Sequence, residues 1–391
     1  MIYVHIPFCR SFCTYCDFYS EIASECRGCQ DDEKMLRYSE NLAEEIALRK
    51  DEIESVLSAQ NAAKTLYIGG GTPSVLPLSV FRQLLKSLSD AGVRVPFDEF
   101  TVEVNPEDIV EKGKEYIEGL LDLGVNRVSM GVQSFDDDIL KWMNRRHNAA
   151  TAVKAYRILE SAGVENISID LIFGLPQLTS ALWDETLEKA LSISSKGKLP
   201  KHISSYQLSV EPGSALASLL QKGAWNEASD EACAAQYARL CEALKAAGYH
   251  HYEISNFALP GYEAVHNSAY WRHVRYVGLG PGAHSFISDA ESVRKWNEPD
   301  LSRYEEAVAS RDLSIVQGGE VLDKEQIAIE KIMLALRTSD GVSEDYLSAN
   351  CPASELEDAF ASGNLIRTED GHIRIPEERF FVSDSIISSI L

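Results

Sequence analysis

From residue 1 to about 260 the chain alternates short strand-like runs with segments of helical period, and this alternation restricts its fold more than any other feature. The strand-like runs are 2–6 (IYVHI), 65–70 (TLYIGG), 99–105 (EFTVEVN), 126–132 (NRVSMGV), 168–174 (SIDLIFG) and 202–210 (HISSYQLSV). Helical patterns lie between them at 79–91, 108–123, 136–143, 150–162 and 181–194. Strands regularly separated by helices of this length predict βαβ units around a parallel sheet, an α/β fold. Six strands suit either a doubly wound sheet or a partial (β/α) barrel. In both, ligands meet the carboxyl ends of the strands. Polar residues fall at those ends: Gly69-Gly70-Gly71-Thr72, Glu103-Val104-Asn105-Pro106, Gln133-Ser134 and Asp170.

A further helix is expected over 230–247, with Ser229 as its cap, Asp230 and Glu231 in its first turn and Gly248 beyond its end. Its apolar stripe takes in Cys233, Tyr237, Leu240, Cys241 and Leu244, so Cys233 and Cys241 read as core residues. The periodicity then fades over 290–320, where Asn297-Glu298-Pro299-Asp300 reads as a linker. This divides the chain into a unit over 1–290 and a second over 300–391. The second holds a helix with Ile329, Ile332, Met333 and Leu336 on one face, a short helix near 354–362, and two strands flanking an Asp370-Gly371 turn. Helices followed by a hairpin predict a small winged-helix-like α+β domain. Residues 320–391 carry six Lys or Arg against fifteen Asp or Glu, which argues against DNA as its ligand.

The formal net charge of the whole chain is −23, which repels phosphate backbones and anionic lipid heads. Nucleic acid is excluded as a partner on this ground, and contact with membrane proteins is at most transient. No apolar run reaches the roughly 18 residues of a membrane span, and the first residues lack the zones of a signal peptide. A cytoplasmic protein is the expectation. Eight cysteines are too few for a disulfide scaffold in a chain of 391 residues, yet Cys9, Cys13, Cys16, Cys26 and Cys29 crowd into the first 29. Clustered thiols in a reducing compartment point to a metal or redox centre.

Residues 9–18 read CRSFCTYCDF, with Cys9, Cys13 and Cys16 spaced C-x3-C-x2-C in the loop leaving the first strand. Three thiolates this close can ligate three irons of a 4Fe–4S cube and leave the fourth open. The competing readings are a structural zinc site, whose paired C-x2-C halves are missing here, and three buried structural thiols. The polar Arg10, Ser11 and Thr14 between the cysteines weaken the latter.

This spacing resembles the signature of the radical S-adenosylmethionine (SAM) superfamily. The segments IYVHIPFCRSFCTYCDFYS, YIGGGTPS, VEVNPED, GVQSF, MNRRHN and IDLIFGLP, with RFFVSDSIISSIL at the end, resemble in order its coproporphyrinogen dehydrogenase-like (HemN/HemW) branch. The resemblance implies a partial (β/α)6 barrel, a SAM-ligated 4Fe–4S cluster on Cys9, Cys13 and Cys16, and an electron donor to that cluster. One electron from the cluster then cleaves the SAM sulfonium to a 5′-deoxyadenosyl radical. It also implies a SAM site made by Tyr3, Tyr15, Gly70, Gly71, Thr72, Glu103, Gln133, Arg145 and Asp170. Glycines at 70 and 71 let backbone polar groups approach the methionine end, and Glu103 accepts from the ribose hydroxyls.

Within the branch, two features depart from the porphyrinogen-oxidising enzymes. Cys9 stands almost at the start of the chain, where those enzymes carry an N-terminal extension. Phe18 occupies the place of their fourth cysteine. Both features are similar to the HemW-type haem chaperones, as is His266-Asn267-Ser268-Ala269-Tyr270-Trp271, which matches their HNxxYW motif. The resemblance implies haem as cargo, a haem-accepting protein as partner and His266 as axial ligand, with Tyr270 and Trp271 covering the macrocycle. The expected function is therefore a haem chaperone. The alternative is an oxygen-independent coproporphyrinogen III oxidase. Cys26 and Cys29 form a further C-x2-C pair that fits neither.

Overall fold

The computed structural model describes residues 1–23, 30–59, 61–288 and 292–391. Cys26 and Cys29 lie outside the described residues. The six expected strands form as β1 (Ile2–Ile6), β2 (Thr65–Gly70), β3 (Glu99–Val104), β4 (Arg127–Gln133), β5 (Asn166–Phe173) and β6 (His202–Gln207), each parallel to the next. Three strands that sequence periodicity does not mark extend this sheet. The hairpin β7 (His250–Glu253) and β8 (Asn256–Ala258) adds antiparallel strands beside β6, and β9 (Val277–Leu279) runs parallel to β1 at the other edge. These are only three or four residues long, and His250-His251 and the glycine of β9 hide the apolar alternation.

The core strands have a period of two with an unusual sense. Val4, Leu66, Ile68, Phe100, Val102, Val128, Met130, Ile167 and Ile169 face the helices and are buried. The alternate positions are polar: His5, Thr65, Tyr67, Thr101, Glu103, Arg127, Ser129, Ser168, Asp170, His202 and Ser204. They meet across the strands, as in Tyr67 with Glu103, Ser129 with Asp170 and Ser168 with His202. The sheet therefore curves around a polar interior while its outer face takes the apolar side of the helices, the partial barrel that the resemblance implied.

The segment 290–320 is not a linker among its described residues. Strands His284–Ser288, Ser292–Asn297 and Gln317–Leu322 form an antiparallel sheet, and helix Leu301–Ala309 packs on helix Gln30–Leu48. One carboxylate explains why. Glu45, fully buried, accepts from Arg49 Nη1 and Asn297 Nδ2 at 2.9 Å, from Tyr304 Oη at 2.8 Å and from the Gly280 amide at 2.7 Å. Four separate segments meet on it, a tertiary arrangement invisible to local periodicity.

After Leu322 the order is helix Lys324–Ala335, strand Val342–Ser343, helices Glu344–Asn350 and Ala353–Ala361, then strands Ile366–Arg367 and His372–Arg374. This is the element order expected of a winged-helix-like unit. The turn is one residue longer than expected: Thr368 already bonds His372, and Gly371 takes φ +84° to close Glu369-Asp370-Gly371.

Replacing Glu45 by Ala strands the buried Arg49 guanidinium and the Asn297 amide. The expected loss is about 3–5 kcal/mol of unfolding free energy, read by urea denaturation, against little change for exposed Glu54→Ala.

Candidate functional site

The loop after β1 carries Cys9, Cys13 and Cys16 over the carboxyl ends of the strands. Residues Phe8–Cys9 pair in parallel with Glu21–Ile22, which closes the loop at its base. The loop is held from beyond as well. The Thr14 amide donates to Met143 O at 3.1 Å, its hydroxyl to Trp142 O at 2.9 Å, and Leu216 N donates to Thr14 O at 2.9 Å. The turn after β2 slots in beneath: Gly71 N and Thr72 N donate to Ile6 O and Phe8 O at 2.8 and 2.7 Å. Gly70 has φ +103°, and a Cβ there would meet the His5 ring at 2.6 Å; at Gly71 it would meet Phe8 O at 2.7 Å. Only glycine permits this closeness.

The three thiols face a cavity of about 510 Å³ that runs down into the polar interior. Thr72 Oγ1 lies 3.3 Å from Cys9 Sγ, and Arg145 Nη1 donates to Cys13 Sγ at 3.4 Å. Arg145 also donates through Nη2 to Asn105 Oδ1 at 2.6 Å and Gly131 O at 2.8 Å, so its position is fixed. Burial raises the Cys9 thiol and pushes Cys16 up to about 12, helped by the neighbouring sulfurs. Thiolates here need a cation. Among the described residues no three His, Cys, Asp or Glu side chains converge tightly enough for a single metal ion. A cube with one thiolate at each of three corners needs them spread around a void, and this donor set fits it.

Deeper in the cavity Glu103 accepts from Tyr67 Oη at 2.7 Å and Gly70 N at 3.2 Å, and Ser129 Oγ donates to Asp170 at 3.1 Å. Burial raises Glu103 to about 7 and Asp170 to about 6, each partly opposed by its hydrogen bonds and by Arg127. Cys9, Cys13, Cys16, Tyr15, Gly70, Gly71, Thr72, Glu103, Gln133, Arg145 and Asp170 all line this one cavity. Gln133 reaches it through a bulge at the end of β4, with φ +66°. Tyr3 does not line it: its hydroxyl lies 3.1 Å from His5 Nδ1 and its ring stands behind Tyr67, centroids 6.1 Å apart.

His266 also lies elsewhere than expected. The helix Val265–Trp271 closes the opposite end of the barrel, because Glu99 at the start of β3 accepts from Val265 N at 2.7 Å and His266 N at 3.3 Å. The His266 ring is 1% exposed. Nδ1 is 2.7 Å from Thr65 Oγ1 and Nε2 is 3.0 Å from Tyr270 Oη. With both nitrogens engaged and the ring buried, an axial-ligand role does not fit this placement. The neighbouring Asn267 does reach the cavity floor. Sequence reasoning missed Tyr67, Arg127, Ser129 and Tyr206; it noted Asn105 only as a polar strand end and Asn267 only within the haem motif. The polar members of the strand period were the available signal.

If the three cysteines share one cluster, replacing any one of Cys9, Cys13 or Cys16 by Ala should reduce iron in anaerobically reconstituted protein from about four per chain to near zero. Cys233→Ala, a 3%-exposed core position, should retain it. Iron and sulfide analysis checks this, and a cluster that survives Cys16→Ala would remove that residue from the ligand set.

The radical SAM superfamily model matches residues 3–190. The haem chaperone HemW of Bacillus subtilis is 36% identical over 388 residues, 97% of this chain and 94% of that protein. The mitochondrial radical S-adenosyl methionine domain-containing protein 1 of Danio rerio is 29% identical over all of this chain and 86% of its own length. Coproporphyrinogen III oxidase (HemN) from Escherichia coli, a radical SAM enzyme, matches in structure with a TM-score of 0.76 over 99% of this chain and 89% of its own, at 21% identity, a likeness of fold. With motifs, barrel and thiol loop in agreement across nearly its full length, the chain belongs to the radical SAM superfamily, in the HemN/HemW branch.

Proposed function

We propose that this protein is a haem chaperone that holds a SAM-ligated 4Fe–4S cluster and passes haem to an acceptor protein in the cytoplasm. The near-full-length similarity to HemW carries this reading. No described helix is long and apolar enough to cross a membrane, and Cys9, Cys13 and Cys16 are free thiols, which agrees with a reducing compartment.

In this reading Cys9, Cys13 and Cys16 hold three irons, and Arg145 offsets thiolate charge through Cys13. When bound, the cluster and SAM supply one-electron chemistry at the sulfonium. The protein's own residues bind and orient. Gly70, Gly71 and Thr72 would offer backbone to the methionine end, with Gln133 and Arg145 near its polar groups and Asp170 deeper, beside Glu103. Glu103 accepts from ribose hydroxyls, and Tyr67 keeps its carboxylate turned into the cavity. Tyr15, which lines the cavity beside the cysteines, would pack against the cluster, and Tyr3 supports Tyr67 from behind. A porphyrinogen oxidase is the rival reading. Phe18, 67% exposed at the cavity mouth, stands where those enzymes carry a further cysteine.

The Glu103 role has a pH signature. Its folded value of about 7 lies above the ordinary 4.5, so its contribution to stability is present below about 4.5 and lost as pH rises through 7. Glu103→Gln should therefore raise Tm at pH 8 and leave it unchanged at pH 4.5. SAM affinity of the wild type should rise through pH 7 as the carboxylate forms. In the variant it should stay flat and be roughly tenfold to hundredfold weaker at pH 8, following about 1.5–3 kcal/mol for a charge-assisted bond. Calorimetry that finds equal SAM affinities would place Glu103 outside the site.

Chaperone and oxidase separate cleanly in solution. Ferric haem titrated into the protein should saturate at about one per chain, with or without the cluster. Anaerobic incubation with coproporphyrinogen III, SAM and a reductant should yield no protoporphyrinogen. Absence of saturable haem binding would overturn the chaperone reading, and turnover would establish the oxidase.

A further inference from the structure

Leu208, Ser209 and Glu211 carry the lining of the thiol cavity from β6 into an irregular segment, residues 209–228, that joins β6 to helix Asp230–Ala246. Both ends of the segment are fixed. Leu208 N donates to Phe173 O at 2.8 Å, and Ser229 caps the following helix by accepting from Ala232 N at 3.3 Å. Between these points the chain is held loosely. It carries one short helix, Ala215–Gln221, capped by Ser214 and bracketed by Gly213 at φ +92° and Gly223 at φ +63°. A Cβ at either glycine would meet nothing within 4 Å, so glycine serves the backbone turn there and not the packing.

The segment reaches across to the cysteine loop through a single polar contact. Leu216 N donates to Thr14 O at 2.9 Å, and among the described residues no other backbone hydrogen bond joins 209–228 to the rest of the chain. A second contact is between rings: Trp225 stacks on Trp142 with centroids 5.9 Å apart at 29°. Trp142 is also the residue whose carbonyl holds the Thr14 hydroxyl, so segment, helix end and thiol loop meet at one corner. Trp225 Nε1 is buried there without an acceptor. The ring contact therefore holds by packing alone, and lifting it breaks no hydrogen bond of the indole. Leu216 is the one buried apolar side chain between 209 and 228, while Pro212, Ser218, Gln221 and Lys222 face solvent. Few buried apolar contacts and an exposed backbone mark a part of a fold that opens locally.

We propose that residues 214–225 form a lid at the side of the thiol cavity, hinged at Gly213 and at the exposed Asn226-Glu227, and latched shut by Trp225 on Trp142. The inference rests on the reading of the cavity as a SAM site. At the root of the lid Glu211 lines the cavity, with its Oε1 accepting from Ser209 Oγ at 2.7 Å. Closed, the lid completes the tethers of Thr14 between Cys13 and Cys16 and seals the gap between Glu211 and the cysteine loop. Open, it parts that gap, and SAM enters or leaves from the side. The two states differ by one backbone hydrogen bond, one leucine and one ring stack, a difference small enough for both to be visited. Shut, the lid keeps bulk water out of the cavity, which is what lids over reactive sites commonly do.

The test measures exchange of SAM, in full-length protein with its cluster reconstituted anaerobically and no reductant present. Protein loaded with radiolabelled SAM is chased with excess unlabelled SAM, and uptake is followed separately by rapid filtration. Trp225→Ala removes the latch and should release SAM roughly tenfold faster, the worth of one aromatic pair. Uptake should be at least as fast as in the wild type, because one barrier governs both directions. Trp225→Phe keeps a ring on Trp142 and should stay close to wild-type rates. Both variants should keep wild-type cluster iron. A lowered Tm with unchanged exchange would make Trp225 a packing residue and overturn the lid. Faster release with slower uptake would overturn it too, since that marks a damaged site and not an unlatched one. Should Trp225→Ala fail to fold, Gly213→Ala strains the closed hinge where space allows a methyl group, and it should speed exchange in both directions. A wild type that takes up no SAM would instead sink the cofactor reading, and the lid with it.

Discussion

Arg127 is the charge on which the barrel interior depends. It rises from the first position of β4, 1% exposed, with Glu99, Tyr67, Tyr252 and Asp170 acting on it from neighbouring strands. Its Nε and Nη1 make no hydrogen bond. A guanidinium left so incompletely paired in the barrel interior is costly, and it is held there by the field of the carboxylates around it. The reverse is equally true. Without Arg127, Glu103 and Asp170 would face each other with burial and mutual repulsion both favouring their neutral forms. Arg127 with Ser204 and Ser129 on Asp170, and the Tyr67 and Gly70 hydrogen bonds with Arg127 on Glu103, oppose the burial that favours their neutral forms.

This arrangement joins the two ends of the barrel. Glu103 at the top accepts from Tyr67, whose ring lies 5.1 Å from His266, and His266 sits in the helix that Glu99 anchors at the bottom. The HNSAYW segment is thus a plug. Its histidine seals and its asparagine lines the cavity, and the motif contacts the SAM-side carboxylate through a single tyrosine. A change in ligand at Glu103 has a two-residue path to the plug.

The six parallel strands and the helices between them were legible because their apolar face repeats locally, and three strands of the main sheet were not, because β7, β8 and β9 are short and rich in His, Asn or Gly. The residues expected around the cofactor were picked out by ordered motifs, and all but Tyr3 and His266 line one cavity. Arg127, Tyr67 and Ser129 were not, since a polar residue at every second strand position reads equally as a solvent-facing edge until curvature makes that face an interior. His266 misled for a related reason. Its motif identifies a family, but which way an imidazole points depends on Thr65, some 201 residues away. Cys241 shows the limit of the helical stripe: it packs on the core as expected and yet borders a cavity, because the wall opposite comes from residues 377–382.

Tyr19, at the end of the cysteine loop, accepts at its backbone carbonyl from His5 and through its hydroxyl from the Leu301 amide at 2.6 Å, a contact across 282 residues. The consequence lies in biosynthesis. The three thiols leave the ribosome first, but one tether of their loop is not made until the chain has grown past residue 301. At about 5–20 residues per second that interval is roughly 15–55 s. For its duration the loop lacks this tether and relies on those to Trp142, Met143 and Leu216. The far end of the chain thus completes the cradle of the thiol loop at the near end.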